Sequence, residues 1–297
     1  MGRSQYASSV VMPSNNPAQY ETVLDFLIAR FTRIDAEIWR QRMLDGNVHW
    51  EGGDPISEAT PFTANARVFY YREVPDEPEI PFQELIIHQD DELLVACKPH
   101  FLPVTPAGIY VQQCLLNRLR EKTGIDALTP IHRIDRDTAG LVMFSVNPET
   151  RGAYQQMFAE GTVQKTYQAV AACDDSAAKG KRWLIENRMD TAEQWFRMTI
   201  TEGEINARST VNCVDVKNGR ALFELSPLTG KTHQLRVHMN SIGFPLENDR
   251  LYPDALPKGE DDFGKPLQLL AKEVEFVDPV TGEQRHFQTT RGLNWSA

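Results

Sequence analysis

The feature that most limits the folds open to this chain is the run Glu73-Val74-Pro75-Asp76-Glu77-Pro78-Glu79-Ile80-Pro81, with three prolines and four acids in nine residues. Proline lacks an amide donor and has a fixed φ, so this run can neither continue a helix nor join the middle of a sheet. It reads as an extended linker. It divides the 297 residues into a small module at 1–72, a linker at 73–81 and a larger domain at 82–297.

In the first part, Asn16-Pro17 reads as a helix cap with proline at the first helical position, and Tyr20, Val23, Leu24, Leu27 and Ile28 follow at helical spacing. A second helical pattern starts at Asp35 and carries Ile38, Trp39 and Met43. Residues 46–53 then read as turn, strand, turn, and residues 67–71 as a strand. After the linker, strands are expected at 93–97, 141–146 and 163–172. Helices are expected at 111–120, from Asn147-Pro148-Glu149 onward, and at 231–242. Asn218-Gly219, between apolar runs at 207–217 and 220–226, marks a two-residue hairpin. Hairpins with scattered helices predict an α+β fold rather than a regular βαβ alternation.

The net charge of −10 argues against a nucleic-acid partner if taken alone. Its distribution is uneven. Residues 92–245 carry 18 basic and 16 acidic residues, while 73–91 carry seven acids and no base. A local basic face is therefore compatible with the global acidity. No apolar run approaches the roughly 18 residues needed to cross a bilayer, and the first residues lack a secretory stretch, so a cytoplasmic protein without membrane attachment is expected. Cys97, Cys114, Cys173 and Cys213 form no C-x-x-C pair, which predicts buried thiols rather than a metal or redox site.

Two polar clusters are candidates for chemistry. His132-Arg133-Ile134-Asp135-Arg136-Asp137-Thr138 stands just before a predicted strand, where a carboxylate among guanidinium groups would stay ionised and nucleophilic; a surface salt-bridge knot would have the same composition. Thr229-Gly230-Lys231-Thr232-His233-Gln234-Leu235-Arg236-Val237-His238-Met239 contains the end of a phosphate-loop pattern, but Leu225 occupies the position of its first glycine. His233 and His238 are five apart, which does not match a helical zinc pair, so no metal is expected.

The first cluster, continued through Ala139-Gly140-Leu141, resembles the H-R-L-D-x-x-T-S-G-L signature of the RluA-type pseudouridine synthases, and Gly230–Met239 resembles that family's G-x-x-H-Q-L-R-V-H-M segment. Asp91-Glu92-Leu93-Leu94-Val95-Ala96-Cys97-Lys98-Pro99 is similar to its early strand ending in Lys-Pro, and Gln164-Lys165-Thr166-Tyr167 to its K-x-Y segment. The resemblance covers roughly residues 82–280. It implies the pseudouridine synthase fold, with a mixed, mostly antiparallel central sheet and flanking helices. The implied enzyme is a cofactor-free isomerase that turns uridine in RNA into pseudouridine by cleaving the glycosidic bond, rotating the base and rejoining it through carbon 5.

By this resemblance Asp135 is the essential aspartate, acting by covalent attack or by taking a sugar proton on a glycal route. Tyr167 is the active-site tyrosine, stacking on the uracil and helping to remove the carbon-5 proton. Arg236 is the basic partner of the aspartate. Arg133 enters the RNA where the target nucleotide has flipped out, a step that reaching a stacked base requires. His132, Arg136, Lys231 and His233 complete the expected RNA contacts. Departures are Ala139 for the usual Ser, Asn248-Asp249-Arg250-Leu251-Tyr252 where G-D-x-x-Y is common, and Leu269-Leu270-Ala271 where L-H-A is common.

Residues 16–72 resemble a diverged form of the small RNA-binding module of a ribosomal protein, with Arg30, Arg33, Arg40 and Arg42 as its cationic cluster. Such a module favours ribosomal over transfer RNA as the partner of an otherwise monomeric enzyme. The competing readings are an RNA-folding protein of the same fold without chemistry, and a nucleoside or glycoside hydrolase using Asp135 and His132. The hydrolase lacks a second carboxylate at recognisable spacing.

Overall fold

The computed structural model describes the whole chain except residues 1, 4, 5, 17, 75, 76, 175, 258, 296 and 297. Pro17, expected to open a helix, and Pro75 and Asp76 of the expected linker lie outside the described residues. Two compact units are present, one of residues 1–78 with 106–112 and one of residues 79–105 with 113–297.

In the first unit the strands are β1 Gly2–Arg3, β2 Ser8–Val11, β3 Val48–Trp50, β4 Arg67–Tyr70 and β5 Glu73–Val74, and the helices are α1 Val23–Arg30 and α2 Ala36–Leu44. The order β2-β4-β3 makes an antiparallel sheet. Leu27, Trp39, Val48 and Val68 are completely buried in the core of this unit. The first helix starts at Val23, not after Asn16. Thr22 and Asp25 form a reciprocal capping box, which satisfies two amide donors that an uncapped start would leave free. Asn16 instead closes a turn, its side chain bonding both the N–H and the C=O of Tyr20 at 2.8 Å.

The acidic tract begins as the strand β5, paired with β1. Its Glu77 carboxylate accepts the backbone N–H groups of Val111 and Gln112 at 2.7 and 2.8 Å, within the same unit. The second unit starts at Glu79, before the expected residue 82. There Arg118 donates to the carbonyls of Ile80 and Phe82, both at 2.7 Å. Among the described residues of the tract, Glu77 is thus anchored in the first unit and Ile80 in the second.

The second unit carries β6 Leu85–Gln89, β7 Leu93–Lys98, α3 Leu115–Thr123, β8 Thr129–Pro130, β9 Ala139–Ser145, α4 Arg151–Ala159, β10 Gln164–Ala172, β11 Arg182–Thr191, β12 Met198–Thr201, β13 Ala207–Lys217, β14 Arg220–Pro227, α5 Gln234–Ser241, β15 Leu269–Val277 and β16 Gln284–Gln288. Nine strands follow the order β12-β11-β13-β14-β10-β15-β9-β7-β6, with β16 beside β15 and β8 beside β9. The architecture is the expected α+β one, a mixed and mostly antiparallel sheet with few helices. Among the described residues β15 and β9 form the one parallel pair.

Sequence and burial correspond strand by strand. β9 is buried along all seven residues and reads as a continuous apolar run, whereas β14 alternates, with every second side chain in the core. Asn218-Gly219 turns β13 into β14 as expected, both residues having positive φ. All four cysteines are buried thiols. The expected helix at 111–120 starts instead at Leu115, and that at 231–242 at Gln234. No helix among the described residues is long and apolar enough to cross a membrane.

Candidate active site

One lateral row of the sheet sets the geometry of the site. Leu225 of β14 pairs with Tyr167 of β10, Tyr167 with Ala271 of β15, Ala271 with Gly140 of β9, and Gly140 with Lys98 of β7. The ladder between β10 and β15 shifts register beside Tyr167, the kind of irregularity that re-aims a side chain. Gly140 adopts φ +116, and a Cβ there would lie 2.2 Å from the Ala271 carbonyl oxygen. Only glycine permits this approach of β9 to β15. The loop carrying Asp135 enters β9 immediately before it.

That loop is held by its backbone. The completely buried Lys98 donates to the carbonyls of Pro99, Leu102 and Arg136 at 3.0, 2.6 and 2.8 Å, which matches the three donors of an ammonium group. Burial pushes its pKa down to about 7, against the charges of Asp137 and Asp135. His100 contacts the Asp137 carbonyl through Nδ1 at 2.7 Å, so Nδ1 carries the proton, and burial lowers its pKa to about 4. Lys98 and His100 thus hold the Asp135 loop through its backbone carbonyls.

Asp135 faces a cleft of about 720 Å³ that is also lined by Tyr167 and Arg236. Arg236, on α5, is 2% exposed. It makes a two-pronged pair with Asp249, Nε to Oδ2 at 2.8 Å and Nη2 to Oδ1 at 2.6 Å, while Nη1 reaches Asp135 Oδ2 at 3.5 Å. The main partner of Arg236 is therefore Asp249, and Asp135 is a second, looser one. Burial opposes the charge on Arg236, but Asp249, with Asp135 and Asp137 behind it, outweighs burial and raises its pKa. Asp249 is itself held by the N–H groups of Leu251 and Tyr252. Asn248, where the family commonly has glycine, has φ +60, a conformation that asparagine tolerates better than most side chains.

Burial, reinforced by the charge of Asp135, raises the pKa of the Tyr167 hydroxyl, so Tyr167 is a neutral phenol at physiological pH. The buried Gln234 ties the cleft wall together. Its Nε2 donates to the Arg208 carbonyl and to Ser209, and its Oε1 accepts from Thr229 and from the Lys231 N–H. This bonding, with His233 at φ +53, keeps residues 229–233 out of the helix.

Of the expected RNA contacts, His132, Arg133, Lys231 and His233 line the cleft and Arg136 does not. Arg136 turns to Asp261, bound at 2.8 and 2.6 Å, and to Asp137. His132 stacks on Phe158 with centroids 4.5 Å apart and accepts the Met143 N–H through Nε2, and burial followed by the Lys165 charge pushes its pKa down to about 3. It stands in the cleft as a neutral aromatic ring, not as a cation for phosphate. The His233 Nδ1 meets the Tyr252 hydroxyl at 3.0 Å, and burial lowers its pKa against Asp135. Arg133 and Lys231 are the exposed cations of the group.

The profile of the family described as RNA pseudouridylate synthase matches residues 92–241, which include Lys98, Asp135, Tyr167 and Arg236. The chain belongs to that family. It is an RNA pseudouridine synthase of the RluA type, an isomerase that converts uridine to pseudouridine. An uncharacterised RNA pseudouridine synthase of Synechocystis is 27% identical over 79% of this chain and 81% of its own length. A dual-specificity RNA pseudouridine synthase of Haemophilus influenzae is 30% identical over 68% of this chain and 90% of its own. The mitochondrial tRNA pseudouridine(32) synthase of Saccharomyces cerevisiae is 23% identical over 77% of this chain but only 50% of its own, so this chain spans half of that synthase. In fold, the human RNA pseudouridylate synthase domain containing 1 superposes with a TM-score of 0.56 at 22% identity, over 73% of this chain and 86% of its own.

Proposed function

We propose that Asp135 is the carboxylate that acts on the target nucleotide, with Arg236 holding it in place and Tyr167 against the uracil, and that the RNA so modified is ribosomal. The observation that carries the reading is the Asp249–Arg236–Asp135 array opening onto the cleft beside Tyr167. In the reaction the bond from N1 to ribose C1′ breaks, the uracil turns, C5 bonds to C1′, the C5 proton leaves and N1 gains one. Asp135 serves either as nucleophile or as base toward the sugar. Its looser contact with Arg236 suits both roles, because a carboxylate locked in a tight two-pronged pair would be too stable to react. Tyr167 enters as a phenol, able to stack and to donate a hydrogen bond, with its oxygen available to relay a proton.

The support for ribosomal RNA is the additional unit of residues 1–78, which we propose as an RNA-binding module. Of its arginines, Arg42 is buried against Trp39, Arg40 pairs with Glu37 and Glu58, and Arg30 and Arg33 lie at the surface. We further propose that the enzyme works as a cytoplasmic monomer.

The test uses RNA with tritium at uridine C5, separated into unmodified ribosomal and transfer pools. The wild type is expected to release label from the ribosomal pool. Asp135→Asn is expected to release none while binding the same RNA. Release from the transfer pool alone overturns the assigned RNA class, and release by Asp135→Asn overturns its role. Binding by both proteins without any release points to an RNA-folding protein.

A further inference from the structure

We propose that the tip of the β11–β12 hairpin is a base-stacking contact for RNA beside the target nucleotide, a role resting on the reading of the Asp135 cleft given above. Two large aromatic side chains lie at this tip. Trp195 is 65% exposed and Phe196 42%, and their rings meet edge to face with centroids 5.8 Å apart. Indole surface left in water costs free energy, and a pair on one tight turn marks a binding surface more than leftover core.

The turn is rigid. Ala192 N–H bonds to the Arg197 carbonyl at 2.9 Å and Arg197 N–H to the Gln194 carbonyl at 2.8 Å, so Trp195 and Phe196 project from a closed loop. The residues that close the turn are tied to Pro253 and Tyr252, next to the cleft-lining His233. Arg197 donates to the Pro253 carbonyl at 2.5 Å and its guanidinium lies 5.0 Å from the Tyr252 ring centre. Met198 N–H bonds to the Tyr252 hydroxyl at 2.8 Å, and that hydroxyl meets His233, which lines the cleft. Trp195 is three residues from Met198, at most about 10 Å along the chain. The exposed rings thus stand within a few nucleotides of a base seated at Asp135.

Local charge narrows the occupant. Asp190 is paired with Arg188 at 2.7 Å, and Glu193 is matched by Arg197 on the same turn, so the tip carries no net charge to draw phosphates, whereas the faces of unpaired bases stack on aromatic rings whatever their sequence. A chain of net charge −10 gains little from long-range attraction to RNA, so contacts that bind bases rather than phosphates would supply affinity it otherwise lacks. The occupant is an unpaired base flanking the target.

The test titrates wild type, Trp195→Phe, Trp195→Ala and Phe196→Ala, each first shown to melt like the wild type, with unmodified transcripts of ribosomal RNA fragments and transfer RNA. RNA is expected to quench tryptophan fluorescence in the wild type. Trp195→Phe should keep the affinity within about twofold and lose the quench. The two alanine variants should bind about tenfold more weakly, in the range of a lost base–aromatic stack. The slope of affinity against salt should not change, because no phosphate contact is removed. Unaltered binding by both alanine variants, a reduced salt slope, or a quench that survives in Trp195→Phe overturns the proposal. So does a wild-type dimer in sedimentation that Trp195→Ala dissolves, since the tip would then be a contact between copies. Asp135→Asn in the same titration separates the two readings. Label release that persists in Asp135→Asn sinks the role of Asp135 and leaves the quench in place, while a missing quench with normal release sinks only the stacking contact.

Discussion

Arg236 has one guanidinium and two carboxylates to serve, and its fork geometry decides the division. Nε and Nη2 are taken by the fully buried Asp249, which leaves Nη1 as a single donor aimed at Asp135. A lysine would carry the same charge but could not span both acids. Arg236→Lys is therefore expected to lower turnover about a hundredfold, the usual loss when one preorganised donor is removed. Its stability should fall by about 2 kcal/mol from the lost charged hydrogen bonds. Single-turnover label release and a denaturant melt measure the two; turnover within threefold of wild type would show that the fork is dispensable. At this scale the sequence was informative where chemistry is written in adjacent residues. Asp135, Tyr167 and Arg236 stand in three dense segments and meet in one cleft. Asp249 was visible only as part of a weak motif, because its partner lies thirteen residues away on another element and a lone Asp-x-x-Tyr does not announce a guanidinium. The neutral state of His132 was not legible for a similar reason: its stacking on Phe158 and its burial are tertiary facts, and burial decides whether the ring can hold a proton.

The elements recovered from sequence are those whose pattern is local. The β13–β14 hairpin has its Asn-Gly turn, β9 its apolar run, and α2 the Asp35 cap. β11 escaped because its inward positions are Trp183, Ile185, Asn187 and Met189. Asn187 interrupts the apolar alternation in order to meet His238 Nε2 at 3.2 Å. The helix expected at 231 was over-extended because Lys231 and His233 suit a helix in composition, while the Gln234 side chain competes for the backbone that would have formed its first turn. The junction of β9 with β15 depends on one missing side chain. Gly140→Ala would place a methyl 2.2 Å from the Ala271 carbonyl oxygen on a backbone with φ +116. The expected cost is about 3 kcal/mol or more, from overpacking and backbone strain together. Tm should fall by about 10 °C, with label release lost even where the protein stays folded. A thermal melt unchanged within 2 °C, roughly what less than 1 kcal/mol would give, would show that the two strands part at no cost.

Across the whole molecule, acid should weaken the fold before its carboxylates protonate. His100, His132 and His238 are kept neutral by burial, with pKa values near 4, 3 and 4. Once unfolded they take up protons near pH 6.5. Between about pH 6.5 and 4 the unfolded chain binds more protons, so stability rises with pH in that window and is lost as pH falls through it. Tm is expected to drop steadily from pH 7 to 4.5, and His132→Phe, which keeps a ring against Phe158, should flatten the drop. A Tm constant down to pH 5 would contradict the burial of these rings. The row Leu225–Tyr167–Ala271–Gly140–Lys98 also governs where relatives of this chain can gain or lose residues. Side chains alternate faces along a strand, so one residue inserted between Gln164 and Tyr167 would send the tyrosine to the far side of the sheet. The same insertion at the turn after Lys217 changes only a hairpin end. Length variation compatible with the reaction is thus directed to turns such as 218–219, and homologous chains of different size should differ there while keeping every spacing along β7, β9, β10 and β15.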